Sequence, residues 1–207
     1  SVRAERNSRK MKKEQTLLIR NYIYNVAYQI LSILIPLITV PYASRVLGAE
    51  KLGIYSYTYA VASYFAIAAY LGFENYGNRM IARCREDREL LNRSFSGALC
   101  FQIASGICAC SAYLIYLLFL CGGNKVVAAI QFLYIGSQMI NISWFYFGLE
   151  EFKKTAFRSM LVRIVSVVAI LLFVKNPSDI VIYTIICAGS TLLGSAFLWI
   201  NIGRYVR

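Results

Sequence analysis

The sequence predicts an all-α, polytopic membrane protein, and three observations carry that expectation. Of its 207 residues, 58% are apolar and only 15% charged, and the mean hydropathy is +0.55. A soluble domain has about 45–50% apolar residues and roughly a quarter charged. The charges are also sorted. Uncharged runs near the ~20 residues that a helix needs to cross a ~30 Å hydrocarbon core alternate with short charged segments. Finally, the runs lack the period-two alternation of membrane barrel strands, which leaves helices.

In chain order, residues 1–16 read as a flexible, basic cytoplasmic arm, with Met11, Lys12 and Lys13 as a candidate natural start. Residues 17–207 read as a transmembrane lobe of six spans, at about 21–43, 53–73, 95–120, 126–148, 157–174 and 180–202. The first is too long for a signal peptide, lacks a small-residue cleavage site and contains Pro36 and Pro41. Pro36 removes a backbone hydrogen bond there and permits a kink. The charged cytoplasmic segment 74–93 keeps apolar Met80, Ile81, Leu90 and Leu91, as in a short helix or helical hairpin resting on the membrane surface. The fifth span is shorter and is interrupted by Arg163.

Orientation follows from the cationic residues in successive loops. The arm and first approach hold Arg3, Arg6, Arg9, Lys10, Lys12, Lys13 and Arg20. The same side receives Arg79, Arg83, Arg85, Arg88 and Arg93, then Lys153, Lys154 and Arg158, then Arg204 and Arg207. The opposite side has Arg45, Lys51, Lys125 and Lys175. Both termini are therefore expected on the cytoplasmic side. This asymmetry accounts for most of the formal charge of +12, so no nucleic-acid partner is expected.

Several function classes are excluded. There is no His, hence no Ser-His-Asp or Cys-His catalysis and no His-based zinc site. No Gly-rich nucleotide loop or metal cluster appears, so neither cofactor nor metal is expected. The six cysteines form no CxxC pair and read as small apolar packing residues. All ten carboxylates fall outside the spans, which leaves an interior that is neutral to positive and suits an anionic cargo.

Polar groups inside a bilayer are costly unless they pair or line a wet cavity. Asn21, Asn25, Gln29, Ser32 and Thr39 share one helical face of the first span. Gln131, Gln138 and Asn141 form a second stripe, and Thr184, Thr191 and Ser195 a third. Such stripes either join helices or line a polar cavity. Arg163 either snorkels to the headgroups or faces the cavity, where its planar fork suits phosphate. Among the 16 tyrosines, Tyr55, Tyr59 and Tyr70 approach one helical face. Rings so placed stack on sugars or belong to an interfacial belt.

Four blocks then resemble one known family. Pro41-Tyr42-Ala43-Ser44-Arg45-Val46-Leu47-Gly48-Ala49 with Gly53-Ile54-Tyr55-Ser56-Tyr57 is similar to the first-to-second span junction of bacterial oligosaccharide flippases. Leu71-Gly72 with Asn75-Tyr76-Gly77-Asn78-Arg79 and Ile81-Ala82-Arg83 resembles the end of their second span. Ser143-Trp144-Phe145-Tyr146 with Gly148-Leu149-Glu150 and Phe152-Lys153 resembles the end of the fourth. Leu161-Val162-Arg163 with Val174-Lys175 and Asp179 to Tyr183 resembles the fifth span and the loop after it.

These flippases are polysaccharide biosynthesis proteins of the multidrug and oligosaccharidyl-lipid exporter superfamily. The resemblance implies transport of undecaprenyl-pyrophosphate-linked O-antigen or capsule repeat units across the bacterial inner membrane by alternating access. It also implies about twelve or more spans in two six-helix lobes, of which this chain would be the N-terminal one. A second lobe or a second copy would then be a partner, with membrane lipids and the lipid-linked oligosaccharide. By position, Arg163 and Arg45 would meet the pyrophosphate, and Asn25, Gln29, Gln138 and Asn141 would bond the headgroup. Asn141 stands where the family often has Asp, so a titrating role there is not implied. The alternatives are a small self-dimerising transporter or channel, a membrane-embedded polyprenyl-phosphate sugar transferase using Glu74 or Glu150, and a nonfunctional truncated gene product.

Overall fold

A computed structural model describes the backbone of residues 2–70 and 72–205. It describes side chains at Val26, Gln29 and Ile30, and from Ile33 to Tyr205 except at 71, 152–156, 201 and 204. The expected arm 1–16, and Asn21, Asn25 and Ser32 of the first polar stripe, lie outside the described side chains.

Every described element is helical. The chain forms α1 (Val2–Tyr70), α2 (Phe73–Cys84), α3 (Arg88–Ile115), α4 (Lys125–Ile130), α5 (Phe132–Met139), α6 (Ser143–Gly148), α7 (Phe152–Phe173) and α8 (Ile180–Phe197). A π-helical turn, Tyr116–Leu120, extends α3, and 3-10 turns occupy Pro177–Asp179 and Leu198–Arg204.

α1 contains Pro36 and Pro41 and is divided at Gly48, whose backbone lies at φ 79°, ψ 163°. That region is essentially closed to residues with a Cβ. Where the sequence suggested a loop of several residues between the first two spans, one glycine makes the break.

Four stretches are long and apolar enough to cross a membrane: Ile33–Cys84, Arg88–Leu120, Lys125–Gly148 and Pro177–Ile200. The first covers two expected spans, with Gly48 between them. α7 stands where the fifth span is expected; only 157–173 of it is described in full, and it is not among the four.

Three apolar clusters order these helices. One pole holds Ala43, Leu47, Val127, Ile170, Val174, Ile180 and Tyr183. A middle layer holds Ala62, Ala66, Ala69, Ala109, Tyr113 and Ile135. The other pole holds Phe73, Ile81, Leu91, Phe95, Trp144, Phe145, Tyr146 and Leu198. After Gly48 the chain passes from the Leu47 pole through the middle to the Trp144 pole, and returns along α3. It descends again through α4, α5 and α6. α7 starts near the Trp144 pole, where Arg158 Nη1 donates to the Phe197 carbonyl at 2.7 Å, and ends at Val174 in the Leu47 pole. α8 then runs back to Leu198. The result is an up-and-down bundle.

Small residues let its helices approach. Ala62, Ala66 and Ala69 recur at helical spacing on α1 and are buried against Ala109 and Tyr113 of α3. Lipid offers no hydrophobic drive for such contacts, so close van der Waals packing supplies the attraction.

The charged segment 74–93 folds as α2 and the start of α3. Its apolar face is taken by protein: Phe73, Gly77 and Ile81 are buried, and the Trp144 ring covers Gly77. Leu91 is also buried, whereas Leu90 is 47% exposed. Of the residues expected to rest on a membrane, Ile81 thus packs against Gly148 of α6.

Candidate functional site

The expected polar residues separate by what their side chains already do. The residue that organises them, Gln102, carried no motif. It lies alone in the apolar run of α3 and is fully buried. Its Nε2 donates to the carbonyls of Gln138 and Asn141, both at 2.9 Å, with Met139 O at 3.3 Å. Its Oε1 accepts from the Trp144 indole N–H at 2.9 Å. The helix is interrupted between Met139 and Ser143, which strands carbonyls that a continuous helix would have used. Gln102 is the graft across that interruption. A lone amide in an apolar span was the available signal.

Gln138 and Asn141 meet at this interruption, both half-buried. The Asn141 side-chain oxygen accepts from the Ser143 N–H at 3.0 Å, so part of its capacity goes to opening α6. Gln131 sits deeper, 1% exposed, and its Nε2 has no partner among the described residues. The hydroxyls of the third stripe mostly turn back on their own helix: Thr184 to Ile180 O and Thr191 to Ala188 O, both at 2.7 Å. Helix joining at the second stripe thus runs through Gln102 to the Gln138 and Asn141 carbonyls, whereas Thr184 and Thr191 spend their hydroxyls within α8.

Gln29, Arg45 and Arg163 are exposed. Arg45 follows Tyr42 on α1, and the Tyr42 hydroxyl pins α1 to the end of α7 through Val174 O at 2.9 Å. Arg45 thus belongs to the Leu47 pole. Arg163 precedes Val174 by eleven residues, about 16 Å along α7, so the two cations stand at different heights. Asn25 lies outside the described side chains.

Carboxylates gather at element ends. Asp87 Oδ1 accepts from the N–H groups of Glu89 and Leu90 and opens α3. Asp179 Oδ2 accepts from Lys175 N at 3.0 Å and Asn176 N at 2.8 Å. Glu150 closes α6 with a left-handed backbone, φ 60°. Its N–H donates to Phe147 O, and the Glu151 N–H to Tyr146 O, a Schellman pattern with Glu where Gly is usual. The Glu150 carboxylate pairs with Arg85 at 2.7 Å, and Glu151 accepts from the Tyr205 hydroxyl at 2.6 Å. Among the described residues no cluster of His, Cys, Asp or Glu could hold a metal.

Tyrosines line the facing sides of α1 and α5. Tyr55 stacks on Tyr59 at 5.9 Å and meets the edge of Tyr183 at 4.8 Å. Tyr59 lies 5.0 Å from Tyr134, with its hydroxyl 3.5 Å from the Tyr134 hydroxyl. Further along, the Tyr70 hydroxyl is 3.3 Å from Ser143 Oγ.

The family model for "Polysaccharide biosynthesis protein" matches residues 18–207. The chain belongs to that family. The chain is also similar to a protein from Escherichia coli (strain K12) named "Putative O-antigen transporter", 26% identical over 192 residues. That alignment covers 88% of this chain and 45% of the relative, so the chain spans about half the relative's length. No solved structure matches the chain. In this family member, the second and third blocks noted in the sequence, around Gly77 and Trp144, form one packing unit: a Cβ on Gly77 would stand 2.6 Å from the Trp144 ring.

Proposed function

We propose that this chain is one lobe of a flippase that moves undecaprenyl-pyrophosphate-linked oligosaccharide repeat units across the bacterial inner membrane. The observation that carries the proposal is the family match over nearly the whole chain, joined to a relative whose name is that of an O-antigen transporter. The reading has six crossings, with both termini cytoplasmic at the Trp144 pole. Arg79, Arg83, Arg85, Arg88, Arg93 and Arg158 support it, since all belong to elements that end at that pole. The lobe would work by alternating access against a second lobe or a second copy, and no covalent bond would change.

In this mechanism Arg163 engages the pyrophosphate in the inward-open state, because a guanidinium keeps its charge and donates in parallel to phosphate oxygens. Arg45 would serve at the outer mouth. Gln29 and Asn25, with Gln138 and Asn141, would offer hydrogen bonds to the headgroup. The proteoliposome flipping assay tests this with the complete transporter. A charge-assisted hydrogen bond contributes about 1.5–3 kcal/mol, so Arg163→Ala should slow flipping at least about tenfold, and Arg163→Lys less. An unchanged rate in Arg163→Ala would remove that role.

A further inference from the structure

We propose that the seam between α1 and α5 is a sugar-binding surface, with Tyr59 and Tyr134 as the platform on which a pyranose ring stacks. The inference rests on the flippase reading and adds to it the place where the lobe meets the neutral sugars of the headgroup.

Depth is the first argument. Tyr59 lies eleven residues after Gly48 and eleven before Tyr70, the last residue of α1. At 1.5 Å per residue it stands about 16 Å from each. Tyr134 lies nine residues after Lys125, the start of α4, about 14 Å in. Interfacial aromatic belts sit at headgroup level, and these two rings are at mid-depth. A phenol there is costly unless its hydroxyl pairs or meets a wet surface.

The pairing is incomplete. The Tyr59 and Tyr134 hydroxyls lie 3.5 Å apart and share one hydrogen bond, which uses one of their two protons. A donor left over at mid-depth calls for an oxygen from outside the lobe.

The third argument is shape. Tyr59 is 39% exposed, yet its ring is held. Tyr55 stacks on it with planes 13° apart, and Tyr183 fixes Tyr55 edge-on. The contacts Tyr59–Tyr134 and Tyr70–Ser143 lie in the same chain order on α1 and on the α5–α6 stretch, so the two run parallel here. Along that seam Gln138 follows Tyr134 by one turn and Ser63 follows Tyr59 by one turn, both half-buried. Fixed rings beside amide and hydroxyl groups match a sugar, which offers an apolar C–H face and a rim of hydroxyls. A hydrocarbon tail would use the rings and offer nothing to the Gln138 amide, while the Ser63 hydroxyl, which donates to the Ala60 carbonyl at 2.6 Å, keeps an oxygen free to accept.

Two probes test this on the purified protein in lipid nanodiscs, with binding read by native mass spectrometry. One is bare polyprenyl pyrophosphate; the other is the same lipid carrying one N-acetylhexosamine. Tyr59→Leu and Tyr134→Leu should weaken the glycosylated probe about tenfold and leave the bare probe unchanged, which also certifies that the variants fold. Tyr59→Phe, which keeps the ring, should lose about threefold or less. Equal loss for both lipids would make the seam a tail groove and overturn the proposal, as would no loss for either. If the wild-type protein bound the bare probe and gained nothing from the sugar, the seam reading alone would fall. Binding of neither lipid would sink the flippase reading with it.

Discussion

Single residues carry more of this bundle than their chemistry advertises. Gly48 makes the only turn between the first two expected spans, at φ 79°, and a Cβ there would meet nothing within 4 Å. The cost of Gly48→Ala is therefore conformational rather than steric, about 1–3 kcal/mol. It should appear as a lowered midpoint in a detergent unfolding titration. Gly53→Ala, also with open space but inside regular helix, should be neutral or slightly stabilising in the same titration. Gln102 is the opposite case, a polar side chain that cannot be spared. Gln102→Leu strands the buried Trp144 N–H and the carbonyls at the α5–α6 interruption, each worth about 1–3 kcal/mol. Its unfolding midpoint should fall further than that of Gly48→Ala. Glu150 holds a left-handed conformation that costs a non-glycine residue about 1–2 kcal/mol. Its ion pair with Arg85 is partly exposed, 42% and 69%, and such pairs contribute at most about 1 kcal/mol. Glu150→Gly should thus be neutral or stabilising by up to about 1 kcal/mol, and a clear destabilisation would show the Arg85 contact to be stronger than exposure allows.

At the scale of elements, the Trp144 pole is built on close approach. Gly77 lies under the Trp144 ring, and Gly148 lies against Ile81 and the Asn78 carbonyl, with a Cβ on Gly148 reaching 2.5 Å from Ile81. Trp144 and Ile81 are fully buried and have no room to retreat. Gly77→Ala or Gly148→Ala should force α2 away from α6 at about 1–3 kcal/mol each. Hydrogen exchange should then report faster opening of α2 than of α8. Both glycines stood in blocks that the sequence singled out, but as resemblance only; their pairing across about seventy residues is a property of the packed helices. The polar stripes were legible as patterns and ambiguous as chemistry. Helical spacing says which residues share a face, yet it does not say whether that face meets a cavity, a neighbouring carbonyl or its own backbone.

For the whole molecule, the alternating passage through three clusters makes a prediction about sides. In a cysteine-free background, a cysteine at Glu86 should react with a membrane-impermeant maleimide only after the inner membrane is opened. A cysteine at Lys175 should react in intact cells with a permeable outer membrane. Labelling of both from one side would break the up-and-down arrangement. The sequence by itself determined that this chain is helical and membrane-crossing, because the lengths of uncharged runs and the sorting of cations are one-dimensional quantities set by bilayer thickness and charge. It also determined the family, through four short blocks in order. Only the tertiary structure decided that Gly48 alone turns the chain, that Gln102 repairs the broken helix, and that Tyr59 meets Tyr134 while Arg45 and Arg163 stand apart. Those are matters of which helix lies beside which, and at what height. Helical periodicity gives each residue an angle on its own helix, whereas neighbours depend on how all the helices pack.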